Sequence, residues 1–159
     1  MPRLAPTLVS MERRPPEVKD TPLGLSHHSP EEYDRCVLIG KWHVCHRCLL
    51  IWPLAYLVMF VALAGVRWPR FLDPWLLILL PIPATIEFVM EHFHQIAYSR
   101  TLQAQVTIPM AIGLGVGFER YLRDQNDSLF WGVTIVYSTI YLAAAYIGAQ
   151  GAPQEPRPD

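Results

Sequence analysis

Four long tracts of mostly apolar residues dominate the sequence and limit the folds that it can adopt. A helix needs about 20 apolar residues to cross a hydrocarbon core about 30 Å thick. Within a bilayer every backbone N–H and C=O must be hydrogen-bonded inside the protein, which favours membrane-spanning helices. The pattern therefore predicts an all-α membrane bundle of about four transmembrane helices. The tracts cover Leu49–Val66, Asp73–Met90, Thr101–Phe118 and Leu129–Ala149.

The second and third tracts carry residues that are unusual in a membrane helix. Pro81 and Pro83 predict a kink in the second tract, because proline cannot donate a backbone hydrogen bond. Asp73 is expected to cap the start of that helix. The third tract contains three glycines between positions 113 and 117, which would let neighbouring helices approach closely. A buried or re-entrant segment is the alternative structure for this third tract.

The composition outside the tracts predicts the remaining organisation of the chain. Proline-rich, charged sequence predicts disordered tails at residues 1–25 and 150–159. Between them we expect a Cys/His-rich segment at the membrane face, residues 26–48, and a four-span transmembrane bundle, residues 49–149. The net charge is −1 and no basic stripe with interleaved aromatic residues occurs, so no nucleic-acid partner is expected.

An even number of spans predicts that both termini lie on the same side of the cell membrane. The positively charged residues near the spans divide almost equally between the two sides, so the positive-inside rule hardly fixes the orientation. We expect the cytoplasmic side for the termini, because cysteine thiols persist in a reducing compartment.

A cluster of cysteines and histidines immediately precedes the first tract. The three cysteines are an odd number, which argues against a disulfide framework. Cys45 and Cys48 have the C-x-x-C spacing of a zinc knuckle, and zinc is bound by four thiolate or imidazole ligands in structural sites. The sequence therefore predicts a zinc site, for which His43 and His46 are also available as ligands. The predicted ligands are Cys45, Cys48, Cys36, His28 and His27.

Three other interpretations of this cluster remain open. Cys48 would behave as a small hydrophobic residue if it simply began a membrane helix. The histidines would then be polar residues at the interface without a metal. The C-x-x-C pair would alternatively be a redox dithiol, although no βαβ pattern typical of thioredoxin surrounds it.

The segment Gly40-Lys-Trp-His-Val-Cys-His-Arg-Cys48, leading directly into an apolar tract, resembles a family of small prokaryotic multi-pass membrane proteins of unknown function. That family has a Cys-His pair, a glycine and then a Cys-x-Arg-Cys motif before the first span. Cys45, Arg47 and Cys48 match the last motif, His28 matches the histidine of the pair, and His27 replaces its cysteine. The resemblance implies a multi-pass architecture and a site at the membrane face, and it implies no activity.

Polar residues at the end of the second tract are further candidates for function. Glu87, Glu91 and His94 have i, i+4 and i+7 spacing, which places them on one face of a helix. A carboxylate at hydrocarbon depth is energetically expensive, so Glu87 is a candidate functional residue. Its possible hydrogen-bonding partners in the sequence are Gln103, Gln105 and Arg100. Because the second span runs back across the membrane, Glu87, Glu91 and His94 are expected at the membrane face that carries the cysteines.

The sequence favours a structural or accessory membrane protein over an enzyme. No nucleophile, phosphate-loop or metalloprotease motif occurs. We expect the lipid bilayer as one partner, and a membrane protein or a second copy as another, bound through Gly113–Gly117 and the fourth span. The alternative function is a metal-dependent or thiol-redox membrane enzyme or transporter that uses Glu87.

Overall fold

A computed structural model describes Tyr33, residues 35–66 and residues 68–151 of the chain. Within these residues, four helical stretches are long and apolar enough to cross a membrane. The prediction of an all-α, multi-pass membrane bundle is thereby confirmed, and the third tract forms one continuous helix that is long and apolar enough to be a span. The four stretches are His46–Leu63, Arg70–His92, Arg100–Arg123 and Ser128–Gly148.

The helices extend beyond the predicted tracts at several ends. The last helix, for example, continues to Gly151, beyond the predicted end of the bundle at residue 149. The predicted tail 1–25 lies outside the described residues. In chain order the helices are α1 His46–Leu63, α2 Asp73–Leu79, α3 Ile82–His92, α4 Arg100–Arg123 and α5 Ser128–Gly151.

A short antiparallel hairpin leads into α1. Its strands are β1, Cys36–Ile39, and β2, Trp42–Cys45, joined by a two-residue turn. Gly40 in this turn has a φ of 63°, and the turns that fit two-residue hairpins require positive φ, which glycine adopts without steric cost. Because β2 ends where α1 begins, the hairpin register also fixes the position of the α1 N-terminus.

The second span is interrupted at Leu80–Pro81, which separates α2 from α3. Pro81 and Pro83 have no N–H to donate to carbonyls one turn earlier, so the helix cannot continue unbroken through them. The hydroxyl of Tyr137 on α5 donates a hydrogen bond to the carbonyl of Ile78 at this interruption. The predicted kink is therefore a break in the helix, supported by a side chain of a neighbouring helix.

The glycines of α4 allow close packing within this chain. A Cβ atom on Gly115 would lie 2.6 Å from the carbonyl oxygen of Ala55 on α1, and one on Gly113 would lie 3.0 Å from the carbonyl oxygen of Leu76 on α2. Gly117 faces the ring of Phe130 on α5. The expectation that these glycines serve close helix packing is met inside the bundle, where they bring α1, α2 and α5 against α4.

Gly115→Ala should lower the free energy of unfolding by roughly 1–3 kcal/mol, the usual cost of inserting a methyl group into a tightly packed site. The new Cβ would collide with the backbone of α1, which cannot move as easily as the end of a flexible side chain. Unfolding of the detergent-solubilised protein measures the effect. Gly132→Ala is the matched control, since nothing lies within 4 Å of a Cβ there. Equal losses in the two variants would contradict the close approach of α1 and α4.

Candidate functional site

The hairpin brings the three cysteines together at the membrane face where α1 begins. Cys36 and Cys45 are directly opposite each other in the register of β1 and β2. Cys48 lies in the first turn of α1, where its side chain is a hydrogen-bond neighbour of Cys45. All three are thiols, Cys36 is 7% exposed and Cys45 is 1% exposed. We call Cys36, Cys45 and Cys48 the thiol cluster, and the membrane face that carries it the cysteine face.

The histidines near the thiol cluster have varied surroundings. The predicted ligands His27 and His28 lie outside the described residues. The ring of His43 stacks on Tyr33 with the ring centroids 4.0 Å apart, and Nδ1 of His46 lies 3.4 Å from Oε1 of Gln103 on α4. Within the described part of the chain, no three His, Cys, Asp or Glu side chains are placed to hold a metal ion. The zinc site therefore remains a prediction.

Two carboxylates on α3 form ion pairs with arginines that adjoin the thiol cluster. Glu87 pairs with Arg47, which lies between Cys45 and Cys48 in the chain. Glu91, one turn later on α3, pairs with Arg35, the residue before Cys36, at 2.6 Å. Both carboxylates are buried. These two pairs fasten the hairpin and the start of α1 to the end of α3.

The partner of Glu87 differs from the alternatives that the sequence offered. The partners expected from the sequence were Gln103, Gln105 and Arg100, whereas the structure places Arg47 against this carboxylate. The Arg47 side chain is 12% exposed, and its guanidinium lies 5.7 Å from the ring centroid of Phe88. A charge at this depth is tolerated because an opposite charge and an aromatic ring compensate it.

His94 does not share the helix face of Glu87 and Glu91, contrary to the predicted spacing. The helix α3 ends at His92, and His94 follows with a φ of 55° and an exposed side chain. The left-handed backbone conformation turns the chain away from the helical path, so the i+7 relation no longer applies. Glu87 and Glu91 remain together on the buried face.

The opposite membrane face contains an ion-pair network that is not among the features expected from the sequence. We call this the arginine face. Asp73 is fully buried and accepts hydrogen bonds from Trp68 at 2.7 Å and from Arg120 at 2.6 Å, while Glu119 accepts two from Arg70 at 2.8 Å. Asp73 is thus an ion-pair acceptor and makes no N-cap hydrogen bond, contrary to expectation.

Asp127, in the loop between α4 and α5, completes this network through Arg120. The hydrogen bonds from the Arg120 guanidinium hold the pKa of the Asp127 carboxyl below its usual range, against the opposing effect of burial. The described members are three acids and three arginines, so their formal charges cancel. The sequence feature from which this network could have been inferred is that acids and arginines recur together at the ends of three tracts. The members are Asp73, Glu119, Asp127, Arg70, Arg120 and Arg123.

The arrangement at the cysteine face combines soft sulfur atoms with two buried ion pairs that hold them in place. Its chemistry is that of thiols, which bind soft metal ions or exchange with disulfides. Comparison with protein-family models, with curated proteins and with solved structures finds no match to the chain.

Proposed function

We propose that this multi-pass membrane protein uses the thiol cluster to bind a zinc ion, and that the ion acts as a structural clip in an accessory membrane protein. The observation that carries the proposal is the hairpin register, which sets Cys36 opposite Cys45 while Cys48 lies in the first turn of α1. Cys45 thereby neighbours both other thiols, and zinc binding would require the three side chains to turn toward one ion, because no three ligands among the described residues are placed for it.

Thiolate is the ligand type that structural zinc sites use most, in sets of four with imidazole. The thiol cluster supplies sulfur ligands, and His27 or His28 is the expected source of an imidazole. Cys48 sits on a helix turn that the Arg47–Glu87 ion pair anchors to α3, so a metal bound there would join the hairpin to both α1 and α3. A structural metal contributes its binding free energy to folding, which gives the clip its function.

Replacing Cys45 and Cys48 with serine should remove about one metal equivalent per chain and lower the yield of folded protein, because structural zinc stabilises the fold directly. Elemental mass spectrometry of the detergent-purified full chain measures the metal. His94→Ala is the control, since this exposed histidine lies beyond the end of α3 and should leave the metal content unchanged. Wild-type protein that is folded but contains no metal would overturn the proposal.

The direct pairing of Cys36 with Cys45 favours a dithiol as the second candidate function. Opposite residues in an antiparallel pair have Cα atoms about 4.5–5.5 Å apart, a separation that a disulfide spans. Oxidised glutathione would accept two electrons from the two thiols, which would form one disulfide and release two glutathione thiols.

Thiol alkylation followed by mass spectrometry separates the two candidates. Metal-free protein that loses two alkylatable thiols on oxidation, with Cys36 and Cys45 linked, would support the dithiol. Protein that is purified with its metal, and that keeps all three thiols alkylatable under the same oxidation once the metal has been chelated, would support the clip. Both candidates use only the thiols and imidazoles of the cysteine face. Glu87 has a structural role in each of them, as the ion-pair partner of Arg47.

A further inference from the structure

A cavity of about 300 Å³ lies beside the break in the second span. It lies between α2, α4 and α5, is partly open to the outside, and is lined along α5 from Phe130 to Tyr141. This volume is near the lower end of the roughly 300–1,000 Å³ typical of sites for small ligands. Other lining residues are Leu77, Pro81, Met110, Gly113, Gly117 and Thr134.

The cavity results from the sequence of the helices that enclose it. The interruption at Pro81 ends α2 before α3 begins, and Gly113 and Gly117 present no side chains from α4. The helices cannot simply close the gap, because Gly113 is already near backbone contact with α2. A space bounded on one side by the glycine backbone of α4 with the side chains of Leu77, Met110 and Leu114, and on the other by α5 side chains, is therefore built into the bundle.

The polar side chains of the wall are two tyrosines, whose hydroxyls are engaged within the protein, together with Thr134 and Ser138. The hydroxyl of Tyr137 donates to the carbonyl of Ile78, and that of Tyr141 lies 3.6 Å from the sulfur of Met110 and 3.4 Å from the hydroxyl of Thr85. Most of the remaining wall is hydrocarbon or glycine. Such a wall suits an apolar occupant, because a polar one would lose its hydrogen bonds to water without replacing them.

We propose that this cavity binds one hydrocarbon chain of a bilayer phospholipid. All of its lining residues belong to helices that can span the membrane, so the medium beside it is the hydrocarbon of the bilayer. A chain that enters from the side restores the dispersion contacts that an empty apolar space lacks. The bound group is the hydrocarbon chain of the lipid rather than its charged headgroup. The arginine face nearby offers no net charge to a headgroup, because the charges of its described members cancel.

A photoreactive phosphatidylcholine with a diazirine midway along one acyl chain tests this proposal. The wild-type protein is reconstituted in phosphatidylcholine bilayers, irradiated and digested, and the labelled residues are identified by mass spectrometry. Met110 and Leu114, which line the cavity, should be labelled more strongly than lipid-exposed Ile108 on the same helix. Replacing half of the bilayer lipid with phosphatidylglycerol should not alter the labelling, since no headgroup charge is recognised.

Thr134→Phe should abolish the cavity labelling by filling the space with a ring. Ile135→Phe is the matched control, because Ile135 is 62% exposed and points away from the cavity lining. Thermal unfolding shows whether both variants fold. If Thr134→Phe does not fold, the proposal is judged from the labelling of Met110 and Leu114 relative to Ile108 in the wild-type protein. Labelling that is uniform over lipid-exposed positions, or labelling only from a second copy cross-linked at the cavity, would overturn the proposal.

Discussion

Glu87→Gln should destabilise the protein by about 3–5 kcal/mol, the usual cost of removing one partner from a buried ion pair. The Arg47 side chain is 12% exposed and that of Glu87 is 5% exposed, so the arginine left behind would be a largely desolvated charge without a counter-ion. The Nε of Arg47 already has no hydrogen-bond partner among the described residues, which leaves the guanidinium little other compensation. Chemical unfolding in detergent measures the loss.

The double variant Arg47→Met, Glu87→Gln should recover much of the lost stability. Replacing both members of a buried ion pair with uncharged residues is often neutral or stabilising, whereas removing one is costly. Asp124→Asn is the control, since this exposed loop carboxylate should change stability by no more than about 0.5 kcal/mol. If the loss in the double variant equals the sum of the losses in Glu87→Gln and in Arg47→Met alone, Arg47 and Glu87 do not act as a pair.

The membrane spans were predictable because they depend on composition over long windows. The tract Leu49–Val66 corresponds to α1 at His46–Leu63, a shift of a few residues toward the N-terminus. Pro81 also gave a correct position for the interruption of the second span, since its missing N–H acts locally whatever the surroundings. Both features follow from the residues themselves, without knowledge of which helices are neighbours.

The hairpin was not predicted, although the sequence carried its signal. Residues 37–39 and 42–44 are rich in β-branched and aromatic side chains, and Gly40 lies between them. That pattern favours a two-residue turn between short strands. The C-x-x-C spacing of the same segment indicates metal ligands and carries no information about strand pairing. As a result, the direct pairing of Cys36 with Cys45 was missed, although Cys36 was included as a candidate ligand.

The partners of the intramembrane carboxylates could not be read from spacing alone. Glu87 was recognised as an expensive charge, but the rotation of α3 about its own axis decides which residue meets it. That rotation is set by contacts distant in sequence, such as the packing of α5 on α3. On the arginine face, the sequence identifies the arginines only as positive residues at helix ends, which bear on topology. Arg70 and Arg120 instead point back to acids at neighbouring helix ends.

Asp73→Ala should destabilise the protein by about 3 kcal/mol or more, because hydrogen bonds to a charged group contribute about 1.5–3 kcal/mol each and this carboxylate accepts several. Asp73 is fully buried and accepts from Trp68, Arg70 and Arg120. Without it, the indole N–H loses its acceptor and two guanidinium groups lose a counter-ion. Arg120 retains Asp127 and Arg70 retains Glu119, which limits the loss.

The same variant separates the two faces of the membrane. Asp73 is on the arginine face, at the far end of the second span from Glu87, so Asp73→Ala should lower stability without altering the metal content of the folded fraction. Asp73→Asn should lie between Ala and the wild type, because its amide oxygen still accepts from Trp68 but carries no charge for Arg120. Unfolding in detergent and elemental mass spectrometry on one preparation give both results. If Asp73→Ala were as stable as Asp124→Asn, the ion-pair network would be solvated, and the segments that it joins before α2 and between α4 and α5 would not depend on it.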